Sequence, residues 1–167
     1  MKPVRFDYTC PGDIAGALKI ARSKSSSKFI AGGQSLGPLL NLRLVQPELL
    51  IDITGIEELK QIEEGSDGVT IGSCVTHADI EDGRVPDVTG GRLRAVAANI
   101  AYRAVRNRGT IGGSLAHADP AADWITTLTA LGAEAVVRSG RGERRVPVET
   151  LMMFQVLFVS RPSGGGM

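Results

Sequence analysis

Two short stretches pair glycines and close on a hydroxyl side chain: Ala31-Gly32-Gly33-Gln34-Ser35 and Thr110-Ile111-Gly112-Gly113-Ser114. Glycine lacks the Cβ that holds a backbone away from a bulky ligand, and successive N–H groups in such a turn can point together at an anion such as a pyrophosphate. The same design met twice predicts one dinucleotide gripped in two places. As a plain surface turn, either loop alone would need no more than glycine's general turn preference.

The first loop also satisfies G-x-S-x-G, through Gly33-Gln34-Ser35-Leu36-Gly37. This is the nucleophile elbow of serine hydrolases, and Asp52 or Asp67 with His77 or His117 would complete the chain order serine, acid, histidine. Pro38 directly behind the elbow, and the lack of an H-G-G-G oxyanion segment, weigh against that alternative. His117, Asp119 and Asp123 offer an imidazole and two carboxylates at close spacing, a donor set that suits a divalent cation. Asp119 followed by Pro120 reads more simply as a helix start, with the carboxylate as cap and proline at the first helical position. Asp123 then sits one turn into that helix, where it could accept hydrogen bonds from a ribose or an amide-rich ring. No G-x-G-x-x-G and no G-K-S or G-K-T occurs, which argues against a Rossmann domain and against an NTPase phosphate loop.

The elements that would hold these loops follow from apolar spacing. Residues 6–8 and 28–30 read as short strands around a helix carrying Ile14, Ala17, Leu18 and Ala21 on one face, and 49–53 reads as a buried strand after a brief helix over 36–44. A hairpin is expected at 61–64 and 69–72 across Gly65-Ser66-Asp67-Gly68, and a helical turn at 76–80. A longer helix over 91–105 places Leu93, Val96, Ala97, Ile100 and Ala101 together and stops at Asn107-Arg108-Gly109. A helix from Asp119 to Gly132 and a second hairpin, 134–139 with 143–148, complete the pattern. We expect an α+β fold in two lobes, an α/β lobe over 1–55 and a lobe of antiparallel strands and helices over 56–150. The tail, 151–167, breaks the pattern: it holds three of the four methionines, shows neither alternation nor a helical stripe, and ends in a linker-like Gly-Gly-Gly.

Bulk properties narrow the partners. Nineteen basic against 18 acidic residues give no overall attraction to nucleic acid, and 4% aromatics is too few for base-stacking platforms. Arg92, Arg94, Arg103, Arg106 and Arg108 make one region locally basic, which we read first as a solvated face. Cys10 and Cys74 are too few for an iron–sulfur cluster or a disulfide framework, and read as small buried or half-buried hydrophobes. With no stretch of roughly 18 apolar residues and no signal-like N-terminus, a cytoplasmic location is expected.

With the loops located, the chain resembles the flavin-binding medium subunit of the molybdenum hydroxylases, the xanthine dehydrogenase and aerobic carbon monoxide dehydrogenase family. The resemblance rests on Ala31-Gly32-Gly33-Gln34-Ser35-Leu36 continued through Pro38, on Arg106-Asn107-Arg108-Gly109-Thr110-Ile111-Gly112-Gly113-Ser114-Leu115, on Asp119-Pro120-Ala121-Ala122-Asp123, and on Phe6-Asp7-Tyr8, Ile71-Gly72 and Thr76, covering about residues 3–149. It implies a two-lobed domain with FAD between the lobes. Phe29, Ile30, Ala31, Gly32, Gly33, Gln34 and Ser35, with Thr110, Ile111, Gly112, Gly113 and Ser114, would then contact FAD, its pyrophosphate on the amides of both loops. Ile100 would touch the flavin end and Asp123 would accept hydrogen bonds from the cofactor. Ser114 stands where asparagine is common in the family.

The resemblance further implies an electron-transfer role beside a molybdopterin-binding large subunit and a [2Fe-2S] small subunit, with no acid–base or nucleophilic residue in this chain. The loss of pattern after Thr150 leads us to expect a truncated or frame-shifted version of the family's chain. One alternative to the flavin role is a non-catalytic remnant that no longer holds FAD.

Overall fold

The computed structural model describes residues 1–66 and 68–151. Strand β1 (Asp7–Thr9), helix α1 (Ile14–Ser23), strand β2 (Ser27–Ile30), helix α2 (Leu36–Asn41) and strand β3 (Leu49–Asp52) form a three-stranded parallel sheet in the order β1-β3-β2. β3 lies in the middle because its Leu49-Leu50-Ile51 run is apolar on both faces, as a strand flanked on both edges requires. The pairing sets Phe29 beside Ile51 and Ile30 beside Asp52, so the chain leaves β2 directly into the first glycine loop. Asp13 caps α1 by accepting from Gly16 N–H at 2.6 Å. The helix packs Ala17 onto Leu49, Ile51 and Ile56, with Ile14, Ile20, Ile53 and Leu59 around them. Fully burying Ile51 and Ile56 stabilises this cluster by about 2 kcal/mol each. Pro38 does not interrupt α2, because it falls in the first turn, where its missing N–H would have had no partner.

After a single 3-10 turn (Glu57–Lys60) come the hairpin β4 (Ile62–Gly65) and β5 (Gly68–Ile71), helices α3 (His77–Glu81), α4 (Arg92–Asn99), α5 (Arg103–Arg106), α6 (Ile111–His117) and α7 (Asp123–Ala130), and the hairpin β6 (Glu134–Ser139) and β7 (Gly142–Pro147). Asp67 and residues 152–167 lie outside the described residues. A second apolar cluster gathers Val75, Ile80, Leu93, Ala97, Ile111, Trp124, Leu128 and Val148. The two clusters are tied by backbone bonds close to the 3-10 turn: Gly72 N–H to Gln61 O and Cys74 N–H to Leu59 O, both 2.8 Å. Gly72 packs so tightly there that a Cβ would stand 2.3 Å from the Leu59 carbonyl oxygen.

Three expectations are corrected. The helix over 91–105 is two helices, separated at Ile100, which is extended (φ −71°, ψ 112°), and at Ala101, whose φ is +42°. Thr110-Ile111-Gly112-Gly113-Ser114 is not a loop, since Ile111 to Ser114 already belong to α6, with Thr110 as the cap accepting from Gly113 N–H at 3.0 Å. Asp119 does not start a helix either. Its Oδ1 accepts from Ala121 N–H at 2.9 Å and its carbonyl from Ala122 N–H, forming a local turn that delays α7 to Asp123.

Candidate functional site

The two glycine stretches meet. Gly32 lies against the chain just before the second stretch, so closely that a Cβ on it would be 2.0 Å from the Arg108 carbonyl oxygen and 2.7 Å from Gly109 Cα. Gly33 adopts φ +69°, a region that side chains strain, and its carbonyl accepts from Gly37 N–H at 2.8 Å. Gln34 folds its amide back to the Gly32 carbonyl at 2.9 Å. The consequence concerns the donors. The N–H groups of Gly32, Gly33, Gln34 and Ser35 donate to no protein acceptor among the described residues.

The second stretch differs. Ile111 N–H donates to Val75 O at 3.1 Å, Gly112 N–H to Ser73 O at 3.0 Å, Gly113 N–H to Thr110 Oγ1 and Ser114 N–H to Thr110 O at 3.0 Å. Its glycines serve packing: a Cβ on Gly112 would stand 2.3 Å from Ser73 Cβ, and one on Gly113 would stand 2.8 Å from Thr110 Oγ1. The free donors are therefore on the first stretch, and the second builds the wall they lean on. Between them opens a cleft of about 460 Å³ lined by Ala31, Gly32, Thr54, Thr76, Arg108 and Thr110 among others, a size usual for ligand pockets.

Beneath the wall lies a pair that the sequence did not signal. His77 is buried, donates its backbone N–H to Gly109 O at 2.9 Å, and accepts at Nδ1 from Trp124 Nε1 at 3.1 Å. Its ring presses on Gly109, where a Cβ would come within 2.8 Å. Burial, and then the nearby Arg106 charge, lower the His77 pKa to about 4. The other support is Arg106, whose side chain is 12% exposed. Its Nε and Nη2 donate to both Glu81 oxygens at 2.8 and 3.1 Å, while Nη1 donates to the carbonyls of Ile100 and Ala101 at 3.0 and 3.1 Å. Arg106 thus pins the bend that replaces the expected helix. Arg103 pairs with Glu81 and Asp82, so neither arginine belongs to a merely solvated face. Truncating Arg106 to alanine is expected to lower the melting temperature and to speed amide exchange at 99–102, and unchanged exchange there would refute the clamp.

The remaining expected site residues spread around this frame. Phe29 is partly exposed at the end of β2 and Ile100 is half-buried against the second cluster. Asp123 is exposed at the first position of α7. Cys74 is buried as expected, but Cys10 is exposed, which corrects the reading of both cysteines as buried or half-buried.

Asp52 accepts from Thr54 N–H and Oγ1 at 2.8 and 2.6 Å and from the Tyr8 hydroxyl. Burial works to raise its pKa, yet the Thr54 and Tyr8 hydrogen bonds and then the Arg108 charge outweigh this and hold the carboxyl low. The hydrolase alternative fails on this geometry. Asp52 is occupied by Thr54 and Tyr8, His77 by Trp124, and Ser35 sits in ordinary right-handed backbone (φ −101°, ψ −47°) rather than on a strained elbow. Asp67, the other acid considered, lies outside the described residues.

A run of amides without protein acceptors beside an interlocked glycine wall suits an anionic ligand, and comparison with known proteins identifies the class of domain. Residues 4–159 match the model of the FAD binding domain in molybdopterin dehydrogenase, and the chain belongs to that family. The match runs past residue 149, where the resemblance read from the sequence stopped. The chain is 42% identical over 154 residues to the 6-hydroxypseudooxynicotine dehydrogenase complex subunit alpha of Paenarthrobacter nicotinovorans, covering 92% of this chain and 52% of that one. It is 38% identical to the carbon monoxide dehydrogenase medium chain of Hydrogenophaga pseudoflava, covering 89% and 52%. Among solved structures, quinoline 2-oxidoreductase from Pseudomonas putida 86 superposes with a TM-score of 0.85 at 38% identity, over 89% of this chain and 52% of that one. The chain spans about half the length of these relatives. FAD is the family's cofactor, and the residues present suit it, since four adjacent free N–H donors beside a cleft are what a pyrophosphate needs.

Proposed function

We propose that this chain provides the FAD-binding portion of a medium subunit in a molybdenum hydroxylase complex, passing electrons from iron–sulfur clusters through FAD to an acceptor. The observation that carries the reading is the junction of Gly32 with Arg108 and Gly109, beside four amides with no protein partner. Bound there, FAD would supply the redox chemistry, taking up and releasing electrons. The chain's own part is to bind and orient. Gly32, Gly33, Gln34 and Ser35 offer amides to the phosphates, Thr110 through Ser114 form the wall, Phe29 and Ile30 lead into the loop, and Ile100 and Asp123 stand at the ends of the cofactor. The lobes over 1–55 and 56–150 would flank it from two sides.

We further propose a molybdopterin-binding large subunit and a [2Fe-2S] small subunit as partners in the cytoplasm. Among the described residues no helix is long and apolar enough to cross a membrane, and the similar proteins carry names of complex subunits and medium chains. Titrating the purified chain with FAD tests the cofactor reading: flavin fluorescence should quench and the melting temperature rise with FAD concentration, as any ligand of the native state requires. A chain that neither binds nor is stabilised would be the non-catalytic remnant. Co-purification with molybdenum and iron–sulfur subunits tests the assembly.

A further inference from the structure

Three cations line the cleft, and two of them are already paired. Lys60 Nζ lies 2.7 Å from Glu57, and Arg84 bonds to Asp79 with Asp82 at 3.7 Å. Arg108 has no carboxylate within 4.0 Å among the described residues. Its position is fixed nonetheless, because its carbonyl is the atom Gly32 packs against and its own N–H is held by Val105 O at 3.1 Å. A guanidinium without a close carboxylate, whose charge reaches Asp52, thus belongs to a cleft-lining residue whose backbone abuts Gly32. The four free amides are neutral dipoles that do not neutralise an incoming diphosphate, and among the described lining residues Arg108, whose charge also acts on Asp52, is the cation without a close carboxylate.

We propose that Arg108 is a cofactor-binding residue whose guanidinium supplies the positive charge for the phosphate bridge held by the amides of Gly32, Gly33, Gln34 and Ser35. This rests on the flavin reading above. The planar fork donates to a phosphate oxygen pair more effectively than an ammonium does, so lysine replaces it only in part.

The test is FAD titration of the full chain and of Arg108→Gln and Arg108→Lys, followed by fluorescence quenching across a series of salt concentrations, with melting temperatures to show that each variant is folded. Wild-type affinity should fall as salt rises, since the contact is exposed to screening. Arg108→Gln should bind about tenfold more weakly at low salt, approaching the wild type at high salt, with Arg108→Lys between them. An Arg108→Gln curve coincident with the wild type overturns the proposal, as does a weakening by the same factor at every salt concentration, which would mark a structural effect. Should Arg108→Gln fail to fold, wild-type affinity that does not vary with salt is the overturning result. If the wild type itself takes up no FAD, the flavin reading falls together with this one. Wild-type binding with an unaffected variant overturns the role of Arg108 alone.

Discussion

Replacing Gly32 with valine is expected to abolish FAD uptake and to destabilise the chain by about 3 kcal/mol, the upper range for overpacking. The added Cβ would meet the Arg108 carbonyl oxygen at 2.0 Å, the Arg108 carbonyl carbon at 2.6 Å and Gly109 Cα at 2.7 Å. All three are backbone atoms, so no rotamer change relieves the overlap and the two glycine stretches must part. Gly37 gives the control. A Cβ there meets nothing within 4 Å and its backbone is helical, so Gly37→Ala should be neutral or gain up to about 1 kcal/mol. Denaturant unfolding and FAD titration read both variants. A Gly32→Val chain as stable as the wild type would mean that the contact is not made.

The second large effect is on acid stability. His77 is held neutral in the folded chain, with its pKa lowered to about 4 from 6.5 by burial and then by the Arg106 charge. Between these values the unfolded chain binds a proton that the folded chain refuses, so stability must fall as pH drops from about 6.5 toward 4, and this group causes no further loss below that. The loss is on the order of 3 kcal/mol. Protonation would also take Nδ1 away from Trp124, leaving a buried indole N–H unpaired. His77→Gln keeps an acceptor for Trp124 without titrating. Unfolding free energies measured from pH 7 to 4 should therefore slope more steeply for the wild type than for His77→Gln. Parallel profiles would refute the assignment, and the difference between them isolates His77 from the carboxylates, which contribute equally to both.

Much of the fold could be read from short-range signals. Asp13 before an apolar stripe, the continuous Leu49-Leu50-Ile51 run and the glycine turn of each hairpin state their structures locally, and the structure follows them. The misreadings occurred where a distant residue decides. Nothing between 91 and 105 breaks a helix; Arg106 does, by drawing the Ile100 and Ala101 carbonyls into its guanidinium while Glu81, 25 residues upstream, holds its other edge. Gly112 and Gly113 look like helix breakers, yet α6 runs through them because Thr110 caps it and the Val75 and Ser73 carbonyls take its first amides. That contact also decides which stretch keeps its donors free. Two Gly-Gly pairs are equivalent as sequence, and the Ser73 and Val75 carbonyls of the segment after β5, beneath the second, make them different. The His77–Trp124 pair spans 47 residues and has no local signature at all.

The splice of Gly72 onto Leu59 and Gln61, and of Cys74 onto Leu59, bears on how fast a ligand arrives. A joint made of main-chain bonds with no room for even one methyl group holds the 3-10 turn firmly against the segment after β5, so we expect this side of the cleft to be in place before docking. In stopped-flow mixing, the observed rate should climb in proportion to FAD concentration without levelling off, as for capture by a preshaped receptor.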